Sequence, residues 1–160
     1  MRRADRELTD VADIKRIVAE AKVLHLGLVD DGRPYVVPLH YGFDLTDDAL
    51  TFYMHGAREG RKLDVIRANP TAFVELDCDV EQVSGGDVPC RYGSLYASVM
   101  GEGEACVLED ADEKVRGIEL LMQNQTGRDF AVTPQMAAAV SVIRVRVPMG
   151  AVTAKSRAKR

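Results

Sequence analysis

SLYASVMGEGEACVL, residues 94–108, has the apolar and β-branched content of a strand, but it is long for one and carries Gly101 and Gly103 near its middle. Glycine inside a strand marks a bend, a bulge or the close approach of another backbone. The stretch is therefore expected to turn a corner, as strands do where a sheet curls into a barrel. Its GEGE is not a dinucleotide fingerprint, which needs its glycines in a turn between a strand and a helix. A Rossmann-type site is not expected here.

Upstream, TAFVELDC (residues 71–78) reads as a strand and SGGDVP (84–89) as a loop. Downstream, Val115, Ile118, Leu121 and Met122 mark one face of a helix that opens at Asp110, and AVSVIRVRV (139–147) returns to a strand. In that last strand the apolar phase slips between Val142 and Ile143, which either a bulge or burial on both faces would explain. Towards the N-terminus, VLHLGLV (23–29) and PYVVPL (34–39) flank DDGR, whose Asp-Gly pair suits a tight hairpin turn at positive φ. Before them, Asp10 caps a helix in which Ile14, Ile17, Val18 and Ala21 recur on one face. LTFYMH (50–55) is a further strand, and from Glu59 the residues Leu63, Ile66 and Arg67 take helical spacing until Asn69-Pro70 ends it. Six or seven strands with three helices predict a mainly β fold, a small antiparallel barrel with flanking helices, as one domain over residues 1–160.

The chain has 160 residues, with 21 basic and 25 acidic side chains spread along it. This near balance gives no broad positive field for a phosphate backbone and argues against nucleic-acid binding. MRRADRELTD, at the start, lacks the apolar core of a signal peptide, and the apolar runs are too short to span a bilayer, so a cytoplasmic protein without membrane contact is expected. The three cysteines, Cys78, Cys90 and Cys106, are too widely spaced for a redox pair or a zinc set. They are expected to be reduced and mostly structural. His25, His40 and His55 each have apolar or aromatic neighbours, where a lone histidine is more often a hydrogen-bonded core residue than a ligand. No metal site follows.

YMHGAREGRKLDVI, residues 53–66, gathers Arg58, Arg61 and Lys62 beside Gly56 and Gly60 at a strand-to-helix junction. A solvated helix start and an anion site both fit this pattern. At a helix N-terminus the first backbone N–H groups lack intrahelical partners and the dipole is positive, so a phosphate near residues 60–62 would gain both. A charge-assisted hydrogen bond contributes roughly 1.5–3 kcal/mol, against about 0.3–1 kcal/mol for the dipole. The cationic side chains would dominate.

Taken in order, VVPLHYGF, YMHGA, EGRKLDVI, NP and SVMGEGEA, followed by a helix opening EDADEK, resemble the FMN-binding split barrels related to pyridoxamine 5'-phosphate oxidase. The likeness is greatest to the Nim-type branch, named for resistance to 5-nitroimidazole drugs. The resemblance implies a homodimer with FMN at the interface. By position, Arg61 and Lys62 match the phosphate-binding pair, and His55 and Gly56 line the ribityl and ring side. Val36, Val37, Pro38 and Leu39 match the strand whose backbone faces the flavin, and Ser98 matches a contact from a strand, that of the partner chain. His40 stands where the branch often has asparagine, and Thr153-Ala154-Lys155 replaces its usual Thr-Gly-Lys, so the roles of His40 and Lys155 stay open.

An apolar barrel edge suits the flavin ring, and Val37, Leu39 and Phe43 fit either that surface or plain strand core. The function implied is an FMN-dependent oxidoreductase acting on a small molecule, with NAD(P)H as donor and an electron-poor compound such as a nitroaromatic as acceptor. His55 is the candidate catalytic group, a hydrogen-bond donor to the ring or the acceptor. The same fold also admits a deazaflavin-dependent reductase, or a non-catalytic flavin- or haem-binding protein with His55 or His40 as an axial ligand.

Overall fold

A computed structural model describes residues 4–158. Nine strands form one antiparallel sheet: β1 (Glu7–Leu8), β2 (Leu24–Asp30), β3 (Arg33–Leu39), β4 (Gly42–Leu45), β5 (Ala49–Gly56), β6 (Thr71–Val83), β7 (Gly93–Val107), β8 (Ser141–Pro148) and β9 (Val152–Arg157). Four helices flank it: α1 (Val11–Glu20), α2 (Arg61–Ala68), α3 (Ala111–Thr126) and α4 (Pro134–Ala138). The main path runs β3-β2-β6-β7-β8-β5-β4, with β9 added to β7 and β1 to β9. Its two edges, β3 and β4, are joined by His40 and Tyr41 alone, so the sheet must curl until its edges nearly meet without pairing. That is a split barrel.

The 94–108 stretch forms the corner. β7 pairs with β6 along one side, while on the other it pairs with β9 as far as Gly101 and with β8 from Glu104 onward. A Cβ on Gly101 would lie 2.5 Å from Val147 Cγ1, and one on Gly103 would collide with the Arg146 carbonyl. The two glycines thus let β8 and β9 converge on one strand. A bulge is not what bends it, because the register from Thr71↔Glu104 to Cys78↔Ala97 is unbroken and slips only between Cys78 and Glu81. The phase slip in β8 likewise involves no bulge, since β8 pairs with β5 residue for residue. Ile143 enters the main core, whereas Val142 packs with Tyr53 and Leu108 in a second cluster on the opposite face.

Local chemistry accounts for the rest. Asp31 and Gly32 sit at φ 49° and 74°, the conformation a two-residue hairpin turn requires. The Asp10 carboxylate accepts from the Ala12 N–H at 2.8 Å, and that of Asp110 from the Glu113 N–H at 2.8 Å, satisfying helix-start amides. The lumen is filled by Ile17 and Val18 of α1, Leu24 and Leu26 of β2, Phe52 and Met54 of β5, and Leu63 of α2, all fully buried. Each such side chain contributes about 1.5–3 kcal/mol. At the split, the buried Tyr41 hydroxyl lies 2.7 and 2.6 Å from the Val18 and Ala21 carbonyls, while its own carbonyl accepts from Asn124 and Gln125. Burial pushes this phenol up from its ordinary pKa. The linker between the two sheet edges is therefore pinned to α1 and α3.

Candidate functional site

The junction between β5 and α2 is built around two glycines. Gly60 caps α2 at φ 138°, a region closed to most side chains, and no side chain caps this helix start. Its carbonyl accepts from the Leu63 and Asp64 N–H groups, so the amides of Arg61 and Lys62 precede the first intrahelical bonds. Gly56 ends β5, and a Cβ there would lie 2.8 Å from both Cε and Nζ of Lys62. The Lys62 ammonium thus rests on the bare backbone of Gly56, the residue after His55. Gly56 and Lys62 form a small cationic cradle at the helix start.

Arg61 takes another direction. Its Nε and Nη2 both lie 2.8 Å from Asp30 Oδ2, and its guanidinium stacks 4.4 Å from the Tyr35 ring centroid. With the Arg61 side chain 63% exposed, the pair is worth about 0–1 kcal/mol, which a doubly charged phosphate can outbid. Arg58, the third cation of the motif, lines a separate pocket with Ile66 and Arg67 of α2.

The His55 side chain is exposed and has no hydrogen bond among the described residues. Like Tyr53, His55 lies on the outer face of β5, with Val142 as its own partner in register, whereas Phe52 and Met54 point inward. His25 and His40 are exposed too, His25 with Nδ1 3.1 Å from Glu75 and His40 with Nδ1 3.0 Å from the Lys22 carbonyl. The expected core setting fails for all three, because strand alternation puts His25 and His55 on outward positions and His40 in the linker at the split.

β3 is an edge with no strand partner on its outer side among the described residues. Val37 and Leu39 stand opposite Leu26 and Leu24 and turn toward the core, where Leu39 and Phe43 pack. The apolar surface is offered instead by Val36, 58% exposed, and by Pro38, which alternate with them. Val36 continues across Gly27 to Phe73, 47% exposed, and these residues line an apolar groove of about 300 Å³. Ser98, 9% exposed, also faces outward, between the inward Ala97 and Val99. Its neighbours in register are Asp77 on β6 and Lys155 on β9, a juxtaposition hidden in the sequence by the distance between them.

The cysteines are free. Burial and the Asp79 carboxylate push the Cys78 thiol up to about 11. Donor atoms of Glu20, Cys78 and Asp79 lie within 4.8 Å of one another. Arg16 already binds both carboxylates, at 2.6 and 2.9 Å, and supplies the positive charge that a metal would. No helix is long and apolar enough to cross a membrane among the described residues.

The family model described as Pyridoxamine 5'-phosphate oxidase matches residues 10–156. No curated protein matches the chain in sequence. Among solved structures it is similar to a Bacteroides thetaiotaomicron protein provisionally assigned to 5-nitroimidazole antibiotic resistance. The two are 26% identical with a TM-score of 0.77, over 94% of this chain and 86% of that one. An FAD- and haem-binding protein of Mycobacterium smegmatis has a TM-score of 0.78 at 18% identity, covering 96% of this chain and 74% of that chain. An FAD-binding protein of Mesorhizobium loti gives 0.64 at 22% identity, with 96% and 98% covered. The latter two likenesses concern the fold.

Proposed function

The chain belongs to the pyridoxamine 5'-phosphate oxidase family, and from that premise we propose that it is an FMN-dependent oxidoreductase, acting as a homodimer on electron-poor small molecules of the nitroaromatic kind with NAD(P)H as donor. The observation that carries the reading is the Lys62 ammonium lying on Gly56 at an uncapped helix start. It offers a charge and backbone amides to a phosphate, on a surface that any Cβ at position 56 would fill. Arg61, released from Asp30, adds a second cation. The exposed β3 edge with Val36 and Pro38 suits the apolar flavin ring, and His55 beside Gly56 is free to donate a hydrogen bond there. When bound, the flavin supplies the redox chemistry; this chain holds it, excludes water from one side and orients the acceptor.

A second copy completes the site. Val36, Phe73 and Ser98 lie on one outward sheet face, and a symmetric dimer covers such a face economically. The test is a visible spectrum of freshly purified protein, followed by NADPH and a nitroaromatic. Flavin absorption that NADPH bleaches and the nitro compound restores is expected, as is an at least about tenfold slower restoration in His55→Ala. A Soret band or a violet-shifted deazaflavin spectrum contradicts the FMN reading. A flavin inert to both reagents makes the protein a binding module, and an unchanged rate in His55→Ala removes that residue's role.

A further inference from the structure

A second cationic site lies beyond the cradle. Arg58, Arg67 and Lys114 converge on a pocket of about 680 Å³ between α2, α3, α4 and the ends of β7 and β8. Arg58 precedes α2 and Arg67 ends it, while Lys114 comes from the distant α3, and the wall holds one carboxylate, Glu109, against the three cations. Arg67 is partly offset by Asp64, 3.4 Å away. Arg58 and Lys114 have no ion pair among the described residues, although acidic side chains outnumber basic ones, 25 to 21, over the whole chain. Cations clustered in a concavity without counter-charges repel one another unless an anion joins them.

The remaining wall is mixed, with Ile66, Pro70, Leu108 and Val140 as its apolar part beside Cys106 and Ser141. Inorganic phosphate has no use for such a surface, whereas a nucleotide presents an anionic end and a flat apolar base, and the volume is in the range of small-molecule sites. The pocket also adjoins the cradle. Ser141 in its wall pairs with Gly56, and Ile66 follows Lys62 by one turn on the same helix face.

We propose that this pocket binds the phosphate-bearing part of an adenine nucleotide, either the AMP half of FAD continuing from the cradle or a separate nicotinamide donor. Only the first source rests on the flavin reading. The probes are ADP, 2',5'-ADP, FAD and FMN, titrated calorimetrically into the full chain. ADP should bind, and inorganic phosphate at least tenfold more weakly. Arg58→Ala/Lys114→Ala should lose at least tenfold in ADP affinity and keep FMN binding, while Arg61→Ala/Lys62→Ala should do the reverse. FAD binding more tightly than FMN, with that advantage lost in Arg58→Ala/Lys114→Ala, identifies the AMP half. Binding of 2',5'-ADP to FMN-loaded protein, lost in the same variant, identifies the donor. Absence of ADP binding, equal binding to wild type and Arg58→Ala/Lys114→Ala, or a loss confined to Arg61→Ala/Lys62→Ala would overturn the proposal. Failure of FMN to bind at all would overturn the flavin reading and leave the ADP result standing.

Discussion

On the inner face of β2 and β6, Leu24, Leu26 and Leu28 meet Val74 and Leu76, none more than 3% exposed. On the outer face of the same wall, Val36 and Phe73 stand 58% and 47% exposed on either side of Gly27. Both faces carry apolar side chains, the outer one beside the exposed His25–Glu75 pair, yet only the inner face is covered by this chain. Pairing register decides which residues face in, because each strand alternates and its neighbours match it. The inner face holds the barrel together, and the outer face is the one that the proposed function assigns to a ligand or a second copy.

Substitutions on the two faces should therefore separate stability from assembly. Leu26→Ala, in the lumen, should cost about 2–5 kcal/mol in denaturant unfolding. Phe73→Glu should cost the protomer about 1 kcal/mol or less, yet convert a dimer to a monomer in light scattering. Equal loss of stability for both would mean that the outer face is as structural as the inner one. A dimeric Phe73→Glu variant would move the interface elsewhere.

The cradle admits a finer test. Gly56 does not have a positive φ, so alanine is tolerated by the backbone, but its Cβ would displace Lys62. Gly56→Ala should keep the melting temperature within a few degrees and weaken FMN binding about tenfold, as expected from losing one charge-assisted hydrogen bond. Unchanged affinity would show that the position of Lys62 on Gly56 is irrelevant to the ligand.

Where local chemistry was sufficient, the sequence was readable. Asp31-Gly32 dictates a turn, Asp10 and Asp110 start helices, and the apolar stripe of Ile14, Ile17 and Val18 reports α1. β9, VTAKSR, escaped because it is short and mostly polar, and β1 because two residues carry no period. Beyond Cys78, β6 continues through mostly exposed residues past an irregularity in register, so apolar alternation stops before the strand does. α4, PQMAA, is only five residues long and is held by the Thr133 cap, whose hydroxyl accepts from the Met136 N–H at 3.2 Å. In the candidate site, the motif gathers Gly56 and Lys62 in one short segment, and the structure adds that the Lys62 ammonium lies on Gly56. The motif could not show Arg61 stacked on Tyr35, Ser98 facing Lys155, or Arg58 joined to Arg67 and Lys114, because those meetings depend on how distant elements pack.

In the proposed function the cradle holds the flavin by its phosphate. Riboflavin has the same ring and no phosphate, so the direct measurement is titration of FMN and riboflavin into wild type and Arg61→Ala/Lys62→Ala. FMN should lose about a hundredfold in affinity or more, and riboflavin far less. Equal losses for the two ligands, or none for FMN, would contradict the account and make residues 60–62 an ordinary solvated helix start.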